Sequence, residues 1–339
     1  MRLFQRKGND LIRQPADLIP CDTFISDPPL RYTKPHRQPE LDNEQQVIYH
    51  AVLQHFSDPQ LRLPVNGHAE DLQDSNNYST LGDWEKFWLS RECILRYLRA
   101  TAWNAEQTIR RLHNTLLWRR QFGLADYANL KETATSVANE NDTGKISLLG
   151  YDRKSQLVLI LKNGRQNTDP SFEQIRQIVW FLEAASILAP KGTECWTLII
   201  DLKNHHIDNG GTRSLYEYPP LSLAKQVINI FQDHYPERLY KCLICNVPNS
   251  AWTFLKLVYP LIEPEPRKKI LYNDPLEIHI ESDQLGAEYG GRLDFNYDNS
   301  IYWPDLIQTV ESRKKVQYEK FEALGANVGI REFEIKRNT

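Results

Sequence analysis

Residues 234–275 read HYPERLYKCLICNVPNSAWTFLKLVYPLIEPEPRKKILYNDP. The stretch divides into a turn (Tyr235-Pro236-Glu237-Arg238), an apolar strand-length run (KCLICNV, 241–247), a helix-length run over 250–262 and a short strand over 269–272. An apolar strand, a helix and another apolar strand in succession predict a largely parallel sheet with covered faces. Within the helix, Ala251, Trp252, Phe254, Leu255, Leu257, Val258, Leu261 and Ile262 cover most of the circumference, whereas a surface helix shows one apolar stripe. Two readings follow: a helix sunk in the core, or a movable helix that covers a lipid cavity on one side and touches a bilayer on the other. Arg267, Lys268 and Lys269 come next. They read as a solvated charge run, or as an anion site beside the helix suited to a phosphodiester.

The same rhythm extends upstream. QLVLILK (156–162) and WTLIIDLK (196–203) are apolar and of strand length. Between them Asp169-Pro170 supplies an N-cap and N1 pair, and Phe172, Ile175, Val179 and Leu182 form a stripe that Pro190 and Gly192 close. A further helix is expected over 220–235. Residues 83–123 read as a small helical lobe. One helix spans 84–98, and a second follows Asn104 as N-cap, with Gln107 as a capping-box partner and Gly123 as the stop. The expected fold class is α/β: a helical N-terminal lobe plus a largely parallel sheet that floors an apolar pocket. The expected divisions are a loop-rich extension (1–75) with one helix over 43–56, the helical lobe (76–125), the α/β domain (130–293), and a tail (294–339) with a helix from Pro304.

The 339 residues hold 41 Lys plus Arg against 44 Asp plus Glu, a net charge of −3. Without a basic excess, nucleic acid is not an expected partner. Five cysteines are odd in number and sparse, so a reducing compartment is expected rather than a disulfide framework. MRLFQRKGND has no apolar core of signal-peptide length, and no run of about 18 apolar residues exists. A cytoplasmic protein is expected, with any membrane contact peripheral.

Catalytic motifs are absent or broken. Thr143-Gly144-Lys145-Ile146 lacks the first glycine and the hydroxyl of a P-loop, and Asn163-Gly164-Arg165 is no dinucleotide fingerprint. Cys93 and Arg99 have cysteine-phosphatase spacing, but Ile94–Leu98 between them reads as plain helix without glycines. Cys242 and Cys245 form half a metal motif inside a strand, and His205-His206 reads as a loop pair. With no activated nucleophile, metal set or cofactor motif, the expectation is a binding protein and not an enzyme.

The order LRYLRA (95–100), WRR (118–120), a strand with Asp201, YPER (235–238), NVPNSAWTFLKLVYPLIEP (246–264) and YGG (289–291) resembles the CRAL-TRIO lipid-transfer family. Within it the chain is similar to fungal phosphatidylinositol transfer proteins of the yeast secretory-pathway type. GRQNT (164–168), DWEKFWL (83–89) and LIPC (18–21) resemble the branch linked to pleiotropic drug resistance and to phosphatidylserine supply for decarboxylation. The resemblance implies a cavity closed by a gating helix near 250–262, with no cofactor and a bound phospholipid as ligand. It places head-group contacts on Glu237 and Lys269, leaves Arg238 between a head-group role and a structural ion pair, and sets Trp252, Phe254, Leu255, Val258 and Leu261 in the gate and pocket. Two departures stand out. Pro266 replaces a frequent Thr, and Thr101 and Ala102 stand where basic residues are common. Each lost charge-assisted contact is worth about 1.5–3 kcal/mol.

The implied partners are phosphatidylinositol, a second lipid (phosphatidylcholine, phosphatidylserine or sterol), a transient endosomal, Golgi or endoplasmic-reticulum surface, and a lipid-modifying enzyme. The rival expectation is a non-exchanging adaptor at a membrane contact, presenting lipid to a phosphatidylserine decarboxylase or a phosphoinositide kinase.

Overall fold

The computed structural model describes residues 17–29, 40–67, 77–203 and 218–336. The His205-His206 pair lies outside them. In chain order the elements are β1 (Ile19–Cys21), α1 (Asn43–Phe56), β2 (Leu63–Pro64), β3 (Tyr78–Ser79), α2 (Asp83–Trp88), α3 (Arg91–Ala100), α4 (Ala105–Phe122) and α5 (Asn129–Ser136). Then come β4 (Ile146–Tyr151), β5 (Leu157–Lys162), α6 (Phe172–Leu188), β6 (Trp196–Asp201), α7 (Leu221–His234), β7 (Leu239–Cys245) and α8 (Ala251–Val258). The chain continues with α9 (Pro264–Arg267), β8 (Ile270–Tyr272), β9 (Leu293–Phe295), α10 (Asn299–Ala323) and α11 (Glu332–Ile335).

The main sheet runs β4-β5-β6-β7-β8, with β4 antiparallel to β5 and the other pairs parallel. Its register sets Leu198 opposite Cys242 and Ile200 opposite Ile244, and Cys242 opposite Ile270. Alternation along each strand then divides the side chains. Leu159, Leu198, Cys242 and Ile244 face α6, while Val158, Ile160, Ile199, Leu243 and Cys245 pack on Leu276, Ile280, Leu285 and Leu293. A second apolar cluster joins α1, α3 and α4 through Val52, Phe56, Leu98, Leu112 and Leu116.

Several expected boundaries move, for local reasons. The helix expected over 84–98 is two helices. Leu89 leaves the helical region and the Ser90 hydroxyl accepts from Cys93 N (3.0 Å), starting α3 afresh. Asn104 caps α4 as expected, and Gly123 ends it at φ +81. Asp169-Pro170 precedes α6 without opening it. Ser171 is the extended flanking residue, and Phe172, the first residue of the expected stripe, is exposed. α10 begins at Asn299, capped by Asp298, whose carboxylate accepts from Ser300 N, so Pro304 sits inside the helix and not at its start. β4 has no counterpart in the expected strands. ISLLGY is buried throughout and carries a bulge near Gly150, whose φ is +69.

Other motif residues tie the lobes together. Arg119 makes two hydrogen bonds to Glu183 (2.8 and 3.0 Å), and Tyr235 Oη donates to Glu183 (2.6 Å). Trp118 stacks on His234 at 4.1 Å. Asp201 accepts from Asn246 Nδ2 (2.7 Å) and from Tyr289 Oη (2.9 Å), which pins the YGG segment onto the sheet. A Cβ on Gly291 would stand 1.7 Å from Leu285 O, so the second glycine of YGG is a packing requirement.

Candidate functional site

α7 carries an apolar face, yet none of its residues is fully buried, and in α8 Ala251 alone is. The reason is the space between them and the sheet, a cavity of about 450 Å³. That volume lies within the range of small-molecule sites. Its floor is the α6-side face of the strands, with Leu198, Ile200, Cys242, Ile244 and Ile270, and its roof holds Val227 and Phe231 of α7. Phe254, Leu255 and Val258 of α8 complete the roof, with Phe254 stacked on Tyr218 at 5.3 Å. Trp252 and Leu261 do not line the cavity. Trp252 is exposed with its ring 5.3 Å from that of Tyr272, and Leu261 offers its carbonyl to Gln232 Nε2 (3.3 Å). Trp252 and Leu257, which do not line the cavity, present an apolar outer surface. α8 is therefore apolar on two sides because it has two environments, and the reading of a helix sunk in the core is set aside. The helix is also shorter than expected, since Tyr259–Leu261 form a tighter 3-10 turn around Pro260.

Glu237 and Lys269 both line the cavity near the N-terminal ends of β7 and β8. Glu237 sits at φ +60, an uncommon conformation for a residue with a side chain. Its carbonyl accepts from Cys195 Sγ (3.1 Å), and its carboxylate lies 3.9 Å from Arg99 Nε. Lys269 Nζ donates to Leu239 O (2.7 Å), which draws the ammonium to the same edge. Arg99 also lines the cavity and pairs with Glu194 (3.2 Å). In the sequence Arg99 stands only in the LRYLRA motif and in a broken phosphatase spacing with Cys93, and it is the fold that brings α3 beside the YPER turn.

Arg238 is not brought to the cavity. It is buried, donates to Glu194 O (2.9 Å), lies 3.9 Å from Glu332 and covers the Trp196 ring. Of the two roles left open for it, the structural one matches this geometry. Thr101 is also turned inward, with its hydroxyl 2.6 Å from Thr108 Oγ1 and donating to Tyr97 O. Pro266 lines the cavity but has no donor to offer.

The cysteines have no catalytic geometry. Cys242 and Cys245 lie on opposite faces of the sheet, one on the cavity floor and one in the cluster beneath, so they cannot share a metal. Burial pushes both thiols up to about 12, and Cys93 up to about 11. No group of three metal-ligating side chains occurs among the described residues.

The CRAL/TRIO domain profile matches residues 141–291, and the CRAL/TRIO N-terminal domain profile matches 48–114. The chain is 42% identical to the phosphatidylinositol transfer protein PDR17 of Saccharomyces cerevisiae, over 99% of this chain and 96% of that one. It is 38% identical to the CRAL-TRIO domain-containing protein C23B6.04c of Schizosaccharomyces pombe, over 87% of this chain but 27% of that longer one. The crystal structure of Sfh5 superposes with a TM-score of 0.50 at 16% identity, covering 82% of this chain and 100% of that one, a likeness of fold. The protein belongs to the CRAL/TRIO family, in its fungal Sec14-like group.

Proposed function

We propose that the chain is a phosphatidylinositol transfer protein. It holds one phospholipid with the acyl chains along the sheet and the head group at Glu237 and Lys269, and exchanges it at membrane surfaces. One observation carries the reading: an apolar cavity, roofed by a short helix that is apolar on two sides, with a carboxylate and an ammonium at one edge. The ammonium neutralises a phosphodiester, and the carboxylate accepts from inositol hydroxyls. Arg99 supplies a second cation where Thr101 and Ala102 offer none. The full-length likeness to PDR17 supports the same ligand.

The physical task is a partition. Two acyl chains hold on the order of 30 methylenes, and exposing them to water costs ~24 kcal/mol at ~0.8 kcal/mol each. The cavity offers an environment as apolar as the bilayer, so the lipid is released where α8 opens against a membrane. Trp252 and Leu257 give that helix an outer face for peripheral docking. No helix among the described residues is long and apolar enough to cross a membrane. The protein acts as a carrier rather than a catalyst in this reading, and the second lipid and any lipid-modifying partner are downstream of it. Native mass spectrometry of protein purified from a fungal host tests it. Stoichiometric phosphatidylinositol is expected. Another lipid bound to the exclusion of phosphatidylinositol would overturn the head-group assignment.

A further inference from the structure

Arg99 reaches the head-group edge from the last turn of α3, and its aim is set by groups that lie outside the cavity. Arg96 stands one turn earlier, so the two guanidiniums leave the same side of the helix. Both meet one carboxylate oxygen, Glu194 Oε2, Arg96 through Nη1 (3.0 Å) and Arg99 through Nη2 (3.2 Å). Glu194 belongs to the segment between α6 and β6 and does not line the cavity.

The backbone of that segment is tied to the YPER turn. Glu194 O accepts from Arg238 Nη1 (2.9 Å), Cys195 Sγ donates to Glu237 O (3.1 Å), and Trp196 N donates to Arg238 O (2.9 Å). Only the first of these uses the Arg238 side chain. The Glu194 carboxylate therefore starts from a fixed point beside Glu237. Its direction is fixed from the other side. Arg96 is 3% exposed, and its second nitrogen, Nη2, binds Glu332 Oε1 of α11 (2.9 Å). Glu332 is itself held, since Oε1 accepts from Ser90 Oγ (2.9 Å) and its amide donates to Glu92 (2.6 Å). A line of side chains thus runs from the C-terminal segment through Glu332, Arg96 and Glu194 to Arg99.

The two arginines differ in what they leave free. Arg96 supplies a buried countercharge to Glu194, so Arg99 is held without being neutralised. The Arg99 side chain is 37% exposed, its Nε lies 3.9 Å from Glu237, and among the described residues no acceptor lies at Nη1. The planar fork keeps one nitrogen for Glu194 and leaves the others for a ligand. Lys269 is tethered in the same manner, giving one donor to Leu239 O (2.7 Å). A free arginine at a helix end loses rotamer freedom when an anion arrives, and a clamped one has already lost it. An exposed arginine–carboxylate contact is ordinarily a surface ion pair of little consequence. This one differs in that the carboxylate has a buried second partner and the guanidinium stands beside the carboxylate of the head-group site.

We propose that Glu194 is a positioning residue that aims Arg99 at the phosphodiester of the bound lipid. Glu332, acting through Arg96, holds Glu194 in that place, so the C-terminal segment sets head-group affinity without touching lipid. The inference rests on the head group lying at Glu237 and Lys269, and adds to that site a group outside the cavity.

Phosphatidylinositol transfer between phosphatidylcholine vesicles, per folded molecule, is compared for wild type, Arg99→Met, Glu194→Gln and the double variant. Glu194→Gln is expected to transfer ~5-fold or more slowly than wild type, but to cost about twofold or less where Arg99 is already methionine. A glutamate that only supports the fold would cost the same factor in both backgrounds, and that result overturns the proposal, as does wild-type transfer by Glu194→Gln. Glu332→Gln is expected to lose ~3-fold or more, again only where Arg99 is present. Wild-type transfer by Glu332→Gln overturns the role of the C-terminal segment. If Glu194→Gln does not fold, Arg99→Lys gives the second reading, because it keeps the charge but not the fork. A loss of ~3-fold or more is expected there, and none overturns the proposal. Phenylglyoxal modification of Arg99, followed by peptide mass spectrometry, reads the clamp without any transfer. Arg99 is expected to react ~3-fold or more faster in Glu194→Gln than in wild type, the worth of a released ion pair. No transfer by wild type together with a faster Arg99 removes the carrier reading alone. Ordinary wild-type transfer, with equal reaction rates and no loss in Glu194→Gln, removes the positioning role alone.

Discussion

Glu237 and Arg238 are adjacent in sequence and opposite in fate. The positive φ at Glu237 turns its side chain to the cavity mouth, while Arg238 goes into the protein toward Glu194, Glu332 and the Trp196 ring. Arg238→Met is therefore predicted to act on stability. It removes a cation from beside a buried carboxylate and should cost about 1–3 kcal/mol in urea unfolding. Phosphatidylinositol transfer per folded molecule should stay near wild type, and a selective loss of transfer would return Arg238 to the head group. Glu237 and Lys269 were reached through the family resemblance, carried by the YPER turn and the basic run after the gate helix, and both line the cavity. The place of Arg99 was not. It comes from α3, and nothing in its spacing says that the fold brings it to the same cavity.

At the scale of elements, α8 was the most legible, because a helix apolar on two sides needs two apolar environments. Phe254 and Leu255 point into the cavity while Trp252 and Leu257 do not line it. Phe254→Asp with Leu255→Asp is predicted to abolish lipid transfer between vesicles, since charges in the roof cannot be desolvated against acyl chains. Thermal unfolding should stay cooperative, because neither residue is in the fully buried core. Transfer at the wild-type rate would remove the gating role. Strand and helix order could be read from periodicity, but boundaries set by single polar contacts could not. Ser90 restarts a helix that the apolar pattern runs straight through, and Asp298 starts α10 before Pro304. β4 escaped because a short run buried on both faces, ending in a glycine bulge, has no alternation to display.

Across the whole molecule, the helical lobe, the sheet and the C-terminal segment meet at a buried charge cluster. Arg96 pairs with Glu194 (3.0 Å) and Glu332 (2.9 Å), and Glu92 accepts from Glu332 N (2.6 Å). Burial, and then the Glu332 carboxylate, push the Glu92 carboxyl up to about 7. Burial also works against the charge of Glu332, but Arg96, Lys336 and Arg238 hold it well below the usual carboxylate range. The two therefore have opposite signs. A raised carboxyl favours the fold while protonated, so the contribution of Glu92 is fully present below about pH 4.5 and is lost as the pH rises through about 7. That of Glu332 is lost only in stronger acid. His234, lowered to about 3 by burial and by Arg119 and Arg111, adds a slope of the other sign below its ordinary value of 6.5. The difference between wild type and Glu92→Gln isolates Glu92. It should change by roughly 1–3 kcal/mol across this window, the wild type losing ground as the pH rises, in urea unfolding at stepped pH. A flat difference would mean that Glu92 titrates alike in the folded and unfolded protein, and would contradict the upward shift.

The account stands on one end of one cavity, so the direct measurement is phosphatidylinositol transfer between protein-free vesicles by wild type, Glu237→Ala and Lys269→Ala, with thermal unfolding run in parallel. Wild type is predicted to transfer, and each variant to lose about tenfold or more, the worth of a charge-assisted contact, at an unchanged melting temperature. Transfer by both variants at the wild-type rate, or no transfer by wild type, would contradict the assignment of that end to the phosphoinositol head.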